Sequence, residues 1–149
     1  MYDVLAQRIG DRQARIGVVG LGYVGLPLAV ALAEGGFHVV GIDRDEAKVD
    51  AVRAGTSPIA DIEAARLAPL VAAGRLSASA SYDVVPECDV LFVCVPTPFD
   101  ANKTPDLRFV LAAADGIAAQ LRPGQLVVLQ STTYPGTTEE AIRPRLEAG

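Results

Sequence analysis

The chain holds 149 residues, half of them hydrophobic, which suits a single domain with a sizeable core. Its formal net charge of -5 argues against bulk attraction to DNA or RNA. It leaves room for one anionic ligand held by backbone amides. The 2 cysteines, Cys88 and Cys94, lie close together with no second pair and the single histidine, His38, far away, which forms neither a zinc-ligand pattern nor a disulfide framework. No metal is expected, and a reducing cytoplasm is the default location.

Residues 1–15, "MYDVLAQRIGDRQAR", mix charges with apolar residues and lack the order of a signal peptide. They read as a short amphipathic helix, with 1–14 an amino-terminal extension of a domain over 15–149. Ile16 to Ala33 then runs 18 residues without a charge. A membrane span needs about 20 apolar residues, but Gly17, Gly20, Gly22, Gly25 and Pro27 interrupt this one, so turns are expected and no membrane span.

"RIGVVG" (15–20) reads as a buried strand ending at a glycine. Leu26, Ala29, Val30 and Ala33 recur at helical spacing, and "EGG" (34–36) ends that helix. "FHVVGID" (37–43) is a second strand and "DEAKVDAVRAG" (45–55) a helix with acids in its first turn. "TSPIADIEAARLAPLVAAGRL" predicts a turn and a further helix, with Pro69 near its middle or at a break. "LSAS" (76–79) is a weak strand, "DVLFVCVPTP" (89–98) a strong one ending on two prolines, and "DLRFVLAAADGIAAQL" (106–121) a helix. "GQLVVLQST" (124–132) gives another strand, and a last helix begins in "TTEEAIRPRLEA".

Continuous apolar strands are buried on both faces, and their alternation with helices implies a parallel sheet covered on both sides. With right-handed crossovers the expected fold class is α/β, a Rossmann-like doubly wound parallel sheet of five or six strands, in the order 3-2-1-4-5.

Gly20, Gly22 and Gly25 form G-x-G-x-x-G directly after a strand and at the mouth of a helix. The first permits the tight turn, the second lets a pyrophosphate meet bare backbone, and the third lets helix and sheet pack closely. Asp43 closes the second strand 21 residues after Gly22. A carboxylate there accepts from ribose hydroxyls and repels the extra phosphate of NADP, which favours NAD. Arg44 pulls the other way, since an arginine can take a 2′-phosphate. FAD, a methyl donor, or a set of glycines that only make turns stay open at this point. "VPTP" (95–98) and "STTYPGT" (131–137) follow the next two strands, where ligands of such sheets sit. They offer hydroxyls on stiff loops, or serve only as a rigid turn and a helix cap.

Together, "GLGYVGLPLA", "VCVPTP" and "STTYPGTTEE" resemble the amino-terminal domain of the UDP-glucose/GDP-mannose dehydrogenases, over residues 15–145. The spacing within "STTYPGT" and the segment "TPDLRFV" are more similar to the UDP-N-acetylglucosamine and UDP-N-acetylmannosamine dehydrogenases. The resemblance implies oxidation of the C6 alcohol of a UDP-sugar to a carboxylate, with two NAD reduced in succession. It implies cofactor contacts from Gly20, Leu21, Gly22, Tyr23, Val24 and Gly25, from Asp43 and Lys48, from Val95, Pro96, Thr97 and Pro98, and from Ser131 and Thr132. Thr132 would also position a water, a catalytic role. The family's nucleophilic cysteine and its substrate domain lie beyond Gly149, so this chain alone is expected to bind NAD without turnover.

A full-length parent is expected to be a homo-oligomer, and "RPRLEAG" reads as a cut end. Cys88 and Cys94 read as packing residues and His38 as a structural histidine. Gln130 stands where many relatives have glutamate. Two alternatives remain here: another NAD(P) dehydrogenase, such as one acting on hydroxy acids, and a stand-alone nucleotide-binding regulatory module.

Overall fold

A computed structural model describes residues 1–149 except Asp61, Thr132 and Tyr134. Helix α1 (Tyr2–Gly10) leads into β1 (Arg15–Val19), α2 (Gly25–Glu34) and β2 (His38–Ile42). Then come α3 (Glu46–Arg53), α4 (Ala64–Ala72), β3 (Leu76–Ser79), a 3-10 helix (Tyr82–Glu87) and β4 (Val90–Val93). The chain finishes with α5 (Arg108–Ala118), β5 (Leu126–Leu129), a π-helical turn (Thr138–Ile142) and α6 (Arg143–Ala148).

The five strands pair in parallel in the order β3-β2-β1-β4-β5, as the alternating pattern predicts. The period-2 alternation of a strand sorts its side chains onto two faces. Ile16, Val18, Val39 and Val90 join Leu26, Ala29, Val30, Val49, Val52 and Leu67 in one core. Val19, Val40, Ile42, Leu91 and Val93 point the other way, onto Val85, Ala113 and Ile117. Helices α2, α3 and α4 therefore cover one face, and α5 with the 3-10 helix covers the other. After β3 the winding reverses, because β4 returns to the far side of β1. The connections leaving β1 and β4 diverge from that line and open a crevice at the carboxyl ends of the strands.

Differences from the expectations sit at element ends. The fourth strand stops at Val93 and the fifth runs only from Leu126 to Leu129, because the residues beyond leave the sheet to form loops over its carboxyl edge. Pro69 lies inside α4 without breaking it. The 3-10 helix at Tyr82–Glu87 was not anticipated. It starts where the Ser81 hydroxyl accepts from the Asp83 N–H, a short cap with no apolar period behind it.

At the opposite end of the sheet, Asp89 is a buried carboxylate, 5% exposed. It accepts from the Arg15 N–H at 2.8 Å and pairs with Arg8 of α1 at 3.1 Å and with Arg122 at 3.3 Å. Leu5 and Ile9 of α1 pack against the first core, so the amino-terminal helix is tied to the sheet by one ion cluster and one apolar face. His38 is exposed, with Nδ1 3.3 Å from the Gly74 carbonyl, which fits a structural role. No described helix is long and apolar enough to cross a membrane.

Candidate cofactor-binding site

A cleft of about 780 Å³ lies at the carboxyl ends of β1, β2, β4 and β5. That volume is in the range of small-molecule sites. One wall is the glycine-rich turn. Gly20 has φ +98°, a conformation that L side chains rarely adopt, and an added Cβ would stand 2.7 Å from the Cys94 carbonyl oxygen. A Cβ on Gly25 would run into the Gly20 carbonyl oxygen, so α2 can begin this close to β1 only from a glycine. Gly22 faces open space instead. Gly20 thus makes the tight turn and Gly25 the close helix–sheet packing expected of them, and Gly22 leaves bare backbone on the side of the cleft.

No side chain caps the start of α2. Its leading amides and the positive end of its dipole meet the cleft wall made by Gly22, Tyr23 and Val24, where they can hold a phosphate. Pro27 falls in the first turn, where an amide is not needed for the helix ladder.

Asp43 stands just beyond β2 and is fixed by two backbone bonds. Its Oδ2 accepts from the Leu21 N–H at 2.8 Å and its Oδ1 from the Asp45 N–H at 2.9 Å. Each oxygen keeps a further lone pair for a ligand hydroxyl. The first of these bonds joins the carboxylate directly to the glycine-rich turn.

The opposite wall comes from the loops after β4 and β5. Val95, Pro96 and Thr97 line it, together with Gln130 and Ser131. The Ser131 hydroxyl is engaged in the fold: it donates to the Val95 carbonyl at 2.8 Å, with the Val93 carbonyl at 3.2 Å. It ties one loop to the other.

The described structure brings Gly20, Gly22, Tyr23, Val24, Asp43, Lys48, Val95, Pro96, Thr97 and Ser131 onto one cleft. Leu21 and Gly25 are buried behind it, and Leu21 takes part only through its amide. Pro98 is turned elsewhere, its carbonyl accepting from the Asp106 N–H at 2.7 Å. Thr132 lies outside the described residues.

Sequence reasoning missed Tyr82, Phe109, Ala112 and Ala113, which line the end of the cleft beside Arg44 and Lys48. Tyr82 lies so close to α5 that a Cβ on Gly116 would be 2.5 Å from its ring. Burial raises the Tyr82 phenol above its ordinary pKa, opposed by the nearby Arg44 charge and reinforced by Asp43. Cys94 also reaches the cleft, under the glycine turn. Burial pushes both the Cys88 and Cys94 thiols up to about 11, so both are protonated at neutral pH and neither is a nucleophile. Among the described residues no cluster of three His, Cys, Asp or Glu could hold a metal ion.

Comparison with known proteins agrees with this geometry. Residues 14–149 match the model of the UDP-glucose/GDP-mannose dehydrogenase family, NAD binding domain. The chain is 39% identical to UDP-N-acetyl-D-glucosamine 6-dehydrogenase of Pseudomonas aeruginosa, over 91% of this chain and 31% of that protein. It is 37% identical to UDP-N-acetyl-D-mannosamine dehydrogenase of Escherichia coli K12, over 85% of this chain and 30% of the other. Among solved structures, GDP-mannose dehydrogenase from Pseudomonas aeruginosa superposes with a TM-score of 0.84 at 35% identity, over 90% of this chain and 32% of that one. The chain thus spans under a third of the length of these relatives.

Proposed function

Since the chain belongs to the UDP-glucose/GDP-mannose dehydrogenase family and matches its NAD-binding domain, we propose that residues 15–149 hold NAD for a nucleotide-sugar 6-dehydrogenase. Residues 1–14 would be an extension docked beside that domain. The observation that carries the cofactor reading is the Asp43 carboxylate, held by two amides at the edge of a cleft whose other wall is the Gly20–Gly25 turn. Bare backbone at Gly22 and the uncapped start of α2 suit the pyrophosphate, and Asp43 suits the adenosine ribose hydroxyls. Lys48, on the same cleft, suits the anionic side of the nucleotide.

Bound NAD would supply a hydride acceptor. The chain's own residues bind and orient it: Thr97 offers a hydroxyl from the loop after β4, while Ser131 braces that loop. A role for Thr132 in positioning water rests on resemblance alone.

The parent enzyme would oxidise the C6 alcohol of a UDP-sugar to a carboxylate in the cytoplasm. A UDP-N-acetylhexosamine is favoured by the names of the two relatives at 39% and 37% identity. A fluorescence titration tests the cofactor reading. The 149-residue chain should enhance NADH emission, and Asp43→Ala should weaken binding by about tenfold or more, one charge-assisted hydrogen bond. A chain that leaves NADH free at millimolar concentration refutes the reading. NADH formation by the full-length parent, assayed against a panel of UDP-sugars, tests the substrate.

A further inference from the structure

Arg44 directly follows Asp43, at a place from which a guanidinium can take the 2′-phosphate that distinguishes NADP from NAD. In the structure it lies against a ring instead. The guanidinium carbon is 5.8 Å from the centroid of Phe109, within reach of a cation–π contact. Among the described residues no carboxylate forms an ion pair with Arg44, and the Phe109 ring is the aromatic face its guanidinium lies over, with the Tyr82 phenol nearby.

The backbone of Phe109 is set by the start of α5. It is the second residue of α5, and its neighbour Val110 is fully buried. Just before the helix, Asp106 accepts from the Arg108 N–H at 3.0 Å and from the Arg108 guanidinium at 2.7 Å, which fixes the first turn. Arg44, in the turn after β2, and Phe109, on α5, thus reach toward each other, and both line the cleft beside Asp43 and Lys48.

We propose that Phe109 is a specificity-determining residue: by holding the Arg44 guanidinium against α5, it withholds that charge from a 2′-phosphate and sharpens the preference for NAD over NADP. The proposal rests on the cofactor reading above. Asp43 supplies the repulsion toward a 2′-phosphate, and a free Arg44 would offset it. Phe109 keeps the offset from operating. An exposed cation–π contact corresponds to about a two- to fivefold effect on the ratio of affinities.

The test is a fluorescence titration of NADH and NADPH on the 149-residue chain and on Phe109→Leu, Arg44→Ala and the double variant. The chain has 0 tryptophans, so nucleotide emission is read without a protein donor of that type. Leucine keeps the apolar volume and removes the π face. In Phe109→Leu the ratio of NADPH to NADH dissociation constants should fall about two- to fivefold. In the double variant that fall should disappear, and Arg44→Ala alone should leave the ratio near wild type.

A wild-type ratio in Phe109→Leu overturns the proposal. So does a fall that persists without Arg44, or a clear rise in Arg44→Ala alone, which would mean the guanidinium already serves the phosphate. If Phe109→Leu loses NADH binding outright, Phe109→Met, which also removes the π face while filling the same volume, is read in its place against the same expected fall and the same overturning results. A wild-type chain that binds neither nucleotide defeats the cofactor reading and this proposal together. A wild-type chain that binds NADH, with the ratio unmoved in Phe109→Leu, defeats the proposal alone.

Discussion

Asp43→Asn separates two roles that the carboxylate combines. Aspartate offers two acceptor oxygens, and both are used by the backbone, at 2.8 Å to the Leu21 N–H and 2.9 Å to the Asp45 N–H. Asparagine has the same shape but only one acceptor, so in either orientation its amide NH₂ faces one of those N–H donors. One charge-assisted bond is lost and the other becomes neutral. A hydrogen bond to a charged group contributes about 1.5–3 kcal/mol. In a domain of this size about 2 kcal/mol lowers the melting temperature by roughly 4–8 °C. The assay is thermal unfolding followed by circular dichroism without nucleotide, alongside NADH titration. The variant should melt lower and also bind NADH more weakly. If binding weakens while the nucleotide-free melting temperature stays at the wild-type value, Asp43 does not brace the glycine turn and the reasoning fails.

Two further outcomes are expected. Asp89→Ala removes the shared partner of Arg8, Arg122 and the Arg15 amide. Because Arg8 and Arg122 are 44% and 40% exposed and can rehydrate, the loss should be about 1–3 kcal/mol, read as a lower urea midpoint at unchanged slope. The raised thiols make stability pH-dependent at the alkaline end. The folded state holds its protons up to about 11, against an ordinary 9.0, so their contribution is complete below 9.0 and is lost as pH climbs toward 11. Cys88→Ala should flatten that decline in thermal melts. A decline of equal steepness would mean that Cys88 is not its source.

The sheet, its order and the glycine cradle were legible because they follow from local rules. Ile16, Val18, Val39 and Val40 sit in uninterrupted apolar runs that only a two-sided parallel strand explains. Gly20 and Gly25 sit at positions where a side chain would strike the Cys94 and Gly20 carbonyls. Asp43 was legible for a similar reason, as a single acid closing a strand.

Tyr82 and Phe109 were not. Tyr82 belongs to a 3-10 helix too short to show a period, and Phe109 reads as one more apolar residue of an amphipathic helix. Both reach the cleft only because α5 packs on the face opposite α2, a long-range placement invisible in their own neighbourhoods. The Leu21–Asp43 bond was hidden in the same way. The spacing of Asp43 marked it as a ligand, and nothing in that spacing showed that it also steadies the turn.

The reversal of winding between β1 and β4 has a consequence for how such a site can change. The cleft exists because two connections depart in opposite directions, and no particular side chain hollows it out. Location and selectivity are therefore inherited separately. The backbone path decides where a nucleotide can settle, and a few replaceable contacts, such as Arg44 with Phe109, decide which nucleotide it is. Substitutions at those contacts can retune the choice of ligand without having to invent a new place to put it.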